Sequence, residues 1–118
     1  MRVSRGTNAP SKGWHLGPWN AHLPIALGYA NTGIDEPHLH LRTTEIYLVA
    51  RGRAEVRIEQ ETTTLDAGDV LVLQPGEAHT FLATTPEYHH FVLHVPALAE
   101  EEARADKVAV ARGRLGLM

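Results

Sequence analysis

Along the middle of the chain, apolar and polar side chains alternate in short runs cut by turn residues. The run "RAEVRIEQ" sets Ala54, Val56 and Ile58 against Arg53, Glu55, Arg57 and Glu59, the period of two that marks a half-buried strand. The run before it, "EIYLVA", is apolar on both sides, and Arg51-Gly52 between the two predicts a hairpin. "TTTL", "VLVL", "TFLATTPE" and "YHHFVLHV" continue the series, separated by "DAGD", by "QPGEAH" closing a "VLVL" hairpin, and by further turn residues. Upstream, "HLPIALGYA" has strand content, with Pro24 near its start where a missing amide is tolerated, and "NTGIDEP" makes a loop. No helix is expected before Pro96, and the regular punctuation implies an all-β sandwich or barrel.

The two ends read differently. Residues 1–21 are rich in Gly, Pro, Ser and Asn and are expected to form an irregular arm anchored by the indoles of Trp14 and Trp19. Residues 97–118 look helical, with Glu100 and Arg104 four apart in the favourable order, but the apolar face is weak. A solvated extension and a helix docked on the barrel or on a partner chain both fit.

A chain of 118 residues is one domain's worth, large enough to bury a core without staples. The expected organisation is a single domain over 1–118, with the barrel at about 22–96. A net charge of -3 without a basic stripe argues against nucleic acid or an anionic membrane as partner and favours a small molecule or another protein. The absence of cysteine excludes disulfides and thiolate metal sites. With no signal-peptide core and no run of about 20 apolar residues, a cytoplasmic location is expected.

The chemistry concentrates in "PHLHLRTTE". His38 and His40 are two residues apart on an extended segment, so their imidazoles share a face, about 7 Å apart along the strand. The turn through "RTT" lets Glu45, opening the next strand, return to the same interior, and His79 after "QPGEAH" supplies a fourth donor. Imidazole and carboxylate suit borderline divalent metals and must converge from several segments to hold one. The alternative, a polar patch on an outer strand face, leaves these groups without chemistry. If they face an apolar interior, they need partners to offset desolvation, and the sequence offers few apart from a metal.

These residues make the chain resemble the cupins, small β-barrel proteins with a first motif of Gly, His-x-His, Glu and Gly. Here those positions are Gly33, His38, His40, Glu45 and Gly52, with Gly33 one residue closer than usual. The second motif is "GDVLVLQPGEAH", Gly68 to His79; Gln74 replaces a usual proline and Ala83 stands where Asn is frequent. The resemblance implies a single-domain double-stranded β-helix, or jelly roll, and a site of three histidines and one glutamate, His38, His40, Glu45 and His79. One divalent transition metal is expected there, with Fe, Mn, Ni, Zn, Co and Cu all compatible. Cupins include dioxygenases, decarboxylases, isomerases, epimerases, lyases and non-catalytic binders, so the fold alone does not decide function. The expectation is a metal-dependent enzyme acting on a small oxygenated organic molecule, of dioxygenase, isomerase or lyase type; the alternative is a non-catalytic module that binds or senses a sugar-like or carboxylate small molecule.

Strand periodicity places Tyr47 and Val49 on the face of Glu45, and Phe81 and Ala83 on the face of His79. Tyr47 is the candidate proton donor, its other reading being a core tyrosine hydrogen-bonded elsewhere. In "YHHFVLHV" the set His89, Phe91, Leu93 and Val95 is expected to face the core; the reverse register would bring His90 and His94 into the cavity. His22 and Tyr29 flank the barrel with no motif to fix their direction. Arg42 is a candidate anchor for an anionic ligand, while Arg57 reads as solvent-exposed. Because Ile46 and Leu48 make the outer face of their strand apolar, that face must be covered by the N-terminal arm or a second subunit, and a homodimer is expected.

Overall fold

The structure is a computed structural model, which describes residues 1–6, 11–32 and 35–118. Gly33 of the first motif lies outside the described residues. In chain order the elements are β1 (Lys12–Leu16), α1 (Pro18–Ala21), β2 (Ala26–Ala30), β3 (His38–His40), β4 (Thr44–Arg51), β5 (Arg53–Ile58) and β6 (Glu61–Asp66). They continue with β7 (Val70–Leu73), β8 (His79–Thr84), β9 (His89–Val95), α2 (Glu100–Asp106), β10 (Lys107–Ala109) and a 3-10 turn (Arg112–Leu115). Two antiparallel five-stranded sheets result, ordered β1-β2-β9-β4-β7 and β10-β3-β8-β5-β6. No pairing among the described residues closes them into one continuous barrel. This is the jelly-roll architecture that the sequence implies.

The expected hairpins are sheet changes. β4 pairs with β7 and β9, whereas β5 pairs with β6 and β8, so the chain crosses from one layer to the other at Arg51-Gly52, and again between β7 and β8. Local alternation marks a strand but carries no information on which neighbour it joins. Gly52 makes the first corner at φ 76°, and a Cβ there would lie 2.5 Å from Thr85 Oγ1 and 2.9 Å from Tyr88 Cα, so both the conformation and the space require glycine.

Between the layers, Tyr47, Val49, Ala54, Val56, Leu65, Leu73, Phe81 and Tyr88 form the main core. It fills the side of the sandwich away from β1 and β10. A second cluster joins Leu39 and Ala78 to Leu115, with Val110 and Leu117 against them. The tail is therefore docked, and only seven of its residues are α-helical. β10 then pairs with β3, and Arg57 Nε donates to the Leu115 carbonyl at 2.7 Å. Arg57 is half-buried in consequence, not the solvent-exposed charge that its strand pattern suggests.

The N-terminal segment also departs from expectation. Lys12–Leu16 is a strand paired with β2, and Pro18–Ala21 makes one helical turn. The indoles do not anchor it by burial: Trp14 and Trp19 are 49% and 59% exposed and meet edge to face at 6.2 Å. On the outer face of the first sheet, Leu27, Leu93, Ile46 and Val72 align across four strands, with Phe91, Leu48 and Val70 in the next row. Arg2, Ser4 and Gly6 lie over the Leu27 and Phe91 end, while Leu48, Val70 and Val72 remain 36%, 55% and 47% exposed.

Candidate metal centre

β3 and β8 come from one sheet and β4 and β9 from the other, and their polar side chains meet in the interior. His38 pairs directly with His79 across β3 and β8, which places both imidazoles on one face. Glu45 comes from the facing sheet, where its neighbour across β4 and β9 is His94. His38, His40, Glu45 and His79 are all buried.

The ring nitrogens are sorted by their surroundings. His38 Nδ1 donates to the Glu36 carbonyl at 2.8 Å and His79 Nδ1 to the Glu77 carbonyl at 3.0 Å. A carbonyl only accepts, so each proton is fixed on Nδ1 and the Nε2 lone pair faces the centre. His40 Nδ1 donates to Asp106 Oδ2 at 2.9 Å, the carboxylate–histidine arrangement that orients a metal ligand and raises its basicity. The other Asp106 oxygen accepts the Arg42 backbone N–H at 2.6 Å.

At the centre, Glu45 Oε1 lies 3.2 Å from His40 Nε2 and 3.1 Å from His79 Nε2. Glu45 Oε1 and His79 Nε2 are nevertheless buried with no hydrogen-bond partner among the described residues. Glu45 Oε2, in contrast, accepts from Tyr47 Oη and from His94 Nε2, each at 3.0 Å. One carboxylate oxygen is thus satisfied by protein donors and the other is aimed, unpartnered, among imidazole nitrogens. Since unsatisfied buried polar atoms are costly, this donor set fits a borderline divalent cation. Two overlapping groups, His38, Glu45 and His79, and His40, Glu45 and His94, bring potential ligand atoms within 4.8 Å of one another.

The electrostatics follow the same logic. Burial alone would raise the Glu45 pKa, but the imidazoles of His40, His79 and His94 hold it well below the usual carboxylate range. Burial would lower His40, yet Glu45 and Asp106 on its two sides raise it. His38 is lowered, chiefly by burial. The Tyr47 hydroxyl is pushed well up, by burial first and then by the Glu45 charge, so it keeps its proton and donates to Oε2.

The register of β9 is the reverse of the expected one. Glu45 faces His94 and Val49 faces His90, so the imidazoles turn inward while Phe91 and Leu93 lie on the outer face. The sequence rule fails because the interior here is a polar cavity and the outer face is apolar. His90 is buried, with Tyr88 Oη 2.6 Å from its Nδ1, and burial depresses its pKa to about 4. His94 sits nearer the mouth, its ring 4.9 Å from Trp14 and nearly perpendicular to it.

A cavity of about 620 Å³ opens over these groups, lined by His38, His40, Glu45, Tyr47, Phe81, His90, Val92 and His94 and, at its edge, by Lys12, Trp14 and Lys107. Ala83 does not reach it. A bulge sets Val56 opposite Phe81 but Glu55 opposite Ala83, which rotates Ala83 to the exposed side. Tyr29 turns outward, its ring 4.7 Å from His15 and 6.1 Å from His89. His22 is exposed, in a left-handed conformation at the end of α1. Arg42 points its guanidinium to Glu102 at 2.7 Å and not into the cavity. Asp106, the hydrogen-bond partner of His40, is the site residue that sequence reasoning misses: it sits in a tail that reads as helix, and the alternation of "KVAV" after it is the available signal.

Solved structures share this architecture. A Streptomyces PAC13 structure with uridine superposes at TM-score 0.65 with 15% identity, over 92% of this chain and 85% of that one. KdgF from Halomonas sp. gives TM-score 0.63 and 22% identity over 82% and 90%. A cupin 2 conserved barrel domain protein from Salinispora arenicola gives 0.65 and 19%, also over 82% and 90%. No curated protein is matched significantly by the sequence. The family model described as the AraC-like ligand binding domain matches residues 21–110, and with the double-stranded β-helix now traced from β2 to β10, the chain belongs to that cupin-type family.

Proposed function

We propose that this protein is a divalent-metal-dependent enzyme that moves a proton on a small oxygenated organic molecule, in an isomerase- or lyase-type reaction. The observation that carries the reading is the placement of His90 and His94, two imidazoles beyond the three histidines of the ligand set, on the cavity wall beside Glu45 and Tyr47. A binding module has no need of spare acid–base groups beside its metal; a proton-transfer enzyme does.

His38, His40, His79 and Glu45 hold the metal in this reading. When bound, the ion supplies a Lewis acid that stabilises negative charge on a substrate oxygen. The chain's own residues do the rest. Asp106 and the Glu36 and Glu77 carbonyls keep the three ligand histidines with Nε2 deprotonated toward the centre. Tyr47 and His94 hold Glu45 Oε2 and leave Oε1 for the ion. His94 at the mouth and His90 on the floor are the groups placed to exchange a proton with substrate, and Phe81 and Val92 add apolar patches to an otherwise polar wall. A PAC13 structure is described as that of a nucleoside dehydratase, a proton-moving reaction on the same fold. Two copies associated through the outer face of the first sheet form the proposed homodimer.

The test is solvent-deuterium exchange, followed by NMR, into a panel of small carbonyl and hydroxy compounds, with oxygen uptake recorded in parallel. Metal-dependent exchange without oxygen uptake, lost in His94→Gln or His90→Gln while metal content stays at the wild-type level, is the expected result. Substrate-dependent oxygen uptake by the iron-loaded protein would replace the reading with a dioxygenase. Binding without turnover across the panel would favour a non-catalytic sensing module, the reading to which the matched ligand-binding family points.

A further inference from the structure

The chain contains only two lysines, Lys12 and Lys107, and both line the cavity. They lie at opposite ends of the sequence, on the edge strands of the two sheets, β1 and β10. Register aims both inward. Lys107 sits directly opposite His40, and Lys12 opposite Ala30, which is itself opposite His90; cross-strand partners share a face.

Neither lysine has a carboxylate partner among the described residues, whereas Arg42, Arg53, Arg104 and Arg114 are each paired with one. The acidic side chains nearby are engaged elsewhere. Asp106 accepts from His40 and Arg42, and Asp35 Oδ1 accepts from Thr80 Oγ1 and the Phe81 backbone N–H. Two lysines without a carboxylate partner among the described residues therefore line the edge of one cavity, each on the edge strand of a different sheet.

Trp14 is built into the same mouth. It lies opposite Gly28, where a Cβ would come within 3.0 Å of its ring and of the Gly13 carbonyl. Any larger residue at 28 would displace the indole. The ring is half exposed and presents a flat apolar surface next to His94.

We propose that the cavity takes a small organic anion, a carboxylate or a phosphate, whose charged group is held by Lys12 and Lys107 while its flat apolar body lies against Trp14 and Val92. This deepens the proposed function, since it assigns the substrate class of that site. A point charge on a flexible stem suits either anion. The lysines select for charge, and the indole for an unsaturated or ring-bearing body.

The experiment titrates the metal-loaded protein with phenylacetate, phenyl phosphate and neutral phenylacetamide, by calorimetry and by quenching of tryptophan fluorescence. At least one anion should bind about tenfold or more tightly than the amide. Lys107→Met and Lys12→Met should each erode that preference, and Lys107→Arg should restore part of it. The relative affinities of carboxylate and phosphate identify which anion the site takes. Equal affinity for anions and amide, a preference that survives both Met variants, or no binding of any probe at millimolar concentration overturns the proposal. Elemental analysis of the same samples tests the metal reading separately. A metal-free protein that still prefers anions through its lysines would sink that reading and leave this one standing.

Discussion

Asp106→Asn isolates the contribution of the tail to the proposed metal centre. Asp106 is 3% exposed and bonds His40 Nδ1 at 2.9 Å and the Arg42 amide at 2.6 Å. Asparagine keeps the shape and one oxygen, which the Arg42 amide retains, and turns an NH₂ group toward His40. Facing a donor, Nδ1 must accept, so the imidazole proton moves to Nε2, the atom that has to be unprotonated to ligate. Loss of such an orienting partner costs about 10–100-fold in metal affinity, or about 1.4–2.8 kcal/mol, and the forced tautomer puts the expectation at the upper end. The assay is competition against a metal-sensing chelator at fixed pH, with circular dichroism to check the fold. Glu102→Gln, on the same helix but in an exposed pair with Arg42, is the control and should leave affinity unchanged. An Asp106→Asn protein that binds metal as tightly as wild type would refute the assignment of Asp106 as the residue that orients His40.

Three further outcomes follow from the same geometry. His40→Ala and His79→Ala should purify with sharply reduced metal but with the sandwich intact; wild-type occupancy in either would remove that residue from the ligand set. His90 is held neutral by burial, with a pKa of about 4 against an ordinary value near 6.5, so the unfolded chain takes up this proton first as pH falls. Stability of the metal-free protein should therefore decline from pH 6.5 to about 4, by about 3 kcal/mol from this group, and level off below. Urea unfolding across that window should show a shallower decline in His90→Phe, and identical slopes would show that His90 is not buried as described. Leu48→Glu, in the middle of the exposed apolar row, should convert the proposed homodimer to monomer in sedimentation analysis; a wild-type protein that is already monomeric disposes of that proposal.

The buried cluster of His38, His40, Glu45 and His79 was legible because its spacing is local. His38 and His40 share a face by strand period alone, and Glu45 and His79 follow turns whose Gly and Pro chemistry is written in the chain. The strands themselves were legible for the same reason. Their assignment to sheets was not, because "RG" between two alternating runs fits a hairpin as well as a corner, and only the crowding of Thr85 and Tyr88 around Gly52 separates them. β9 was misjudged because the rule that apolar residues face inward assumes an apolar interior. Here Phe91 and Leu93 lie on the outer face, and His90 and His94 line a cavity. Asp106 acts on His40 from 66 positions away, and no local pattern reaches that far.

The donors of the proposed set come from both layers, which has a mechanical meaning. Glu45 belongs to one sheet and His38, His40 and His79 to the other, on the flank where no ladder joins them and the packed core gives way to a cavity. An ion held by this set is a rivet through both layers, placed where the sandwich would otherwise gape. Its binding energy is then also resistance to unfolding: at free metal a thousandfold above Kd it amounts to about 4 kcal/mol, a large share of what a small domain possesses. If the proposed centre is filled, metal supply would thus set how long the molecule survives, and the metal-free protein would fray from β1 and β10 inward, losing the mouth of the cavity before the core.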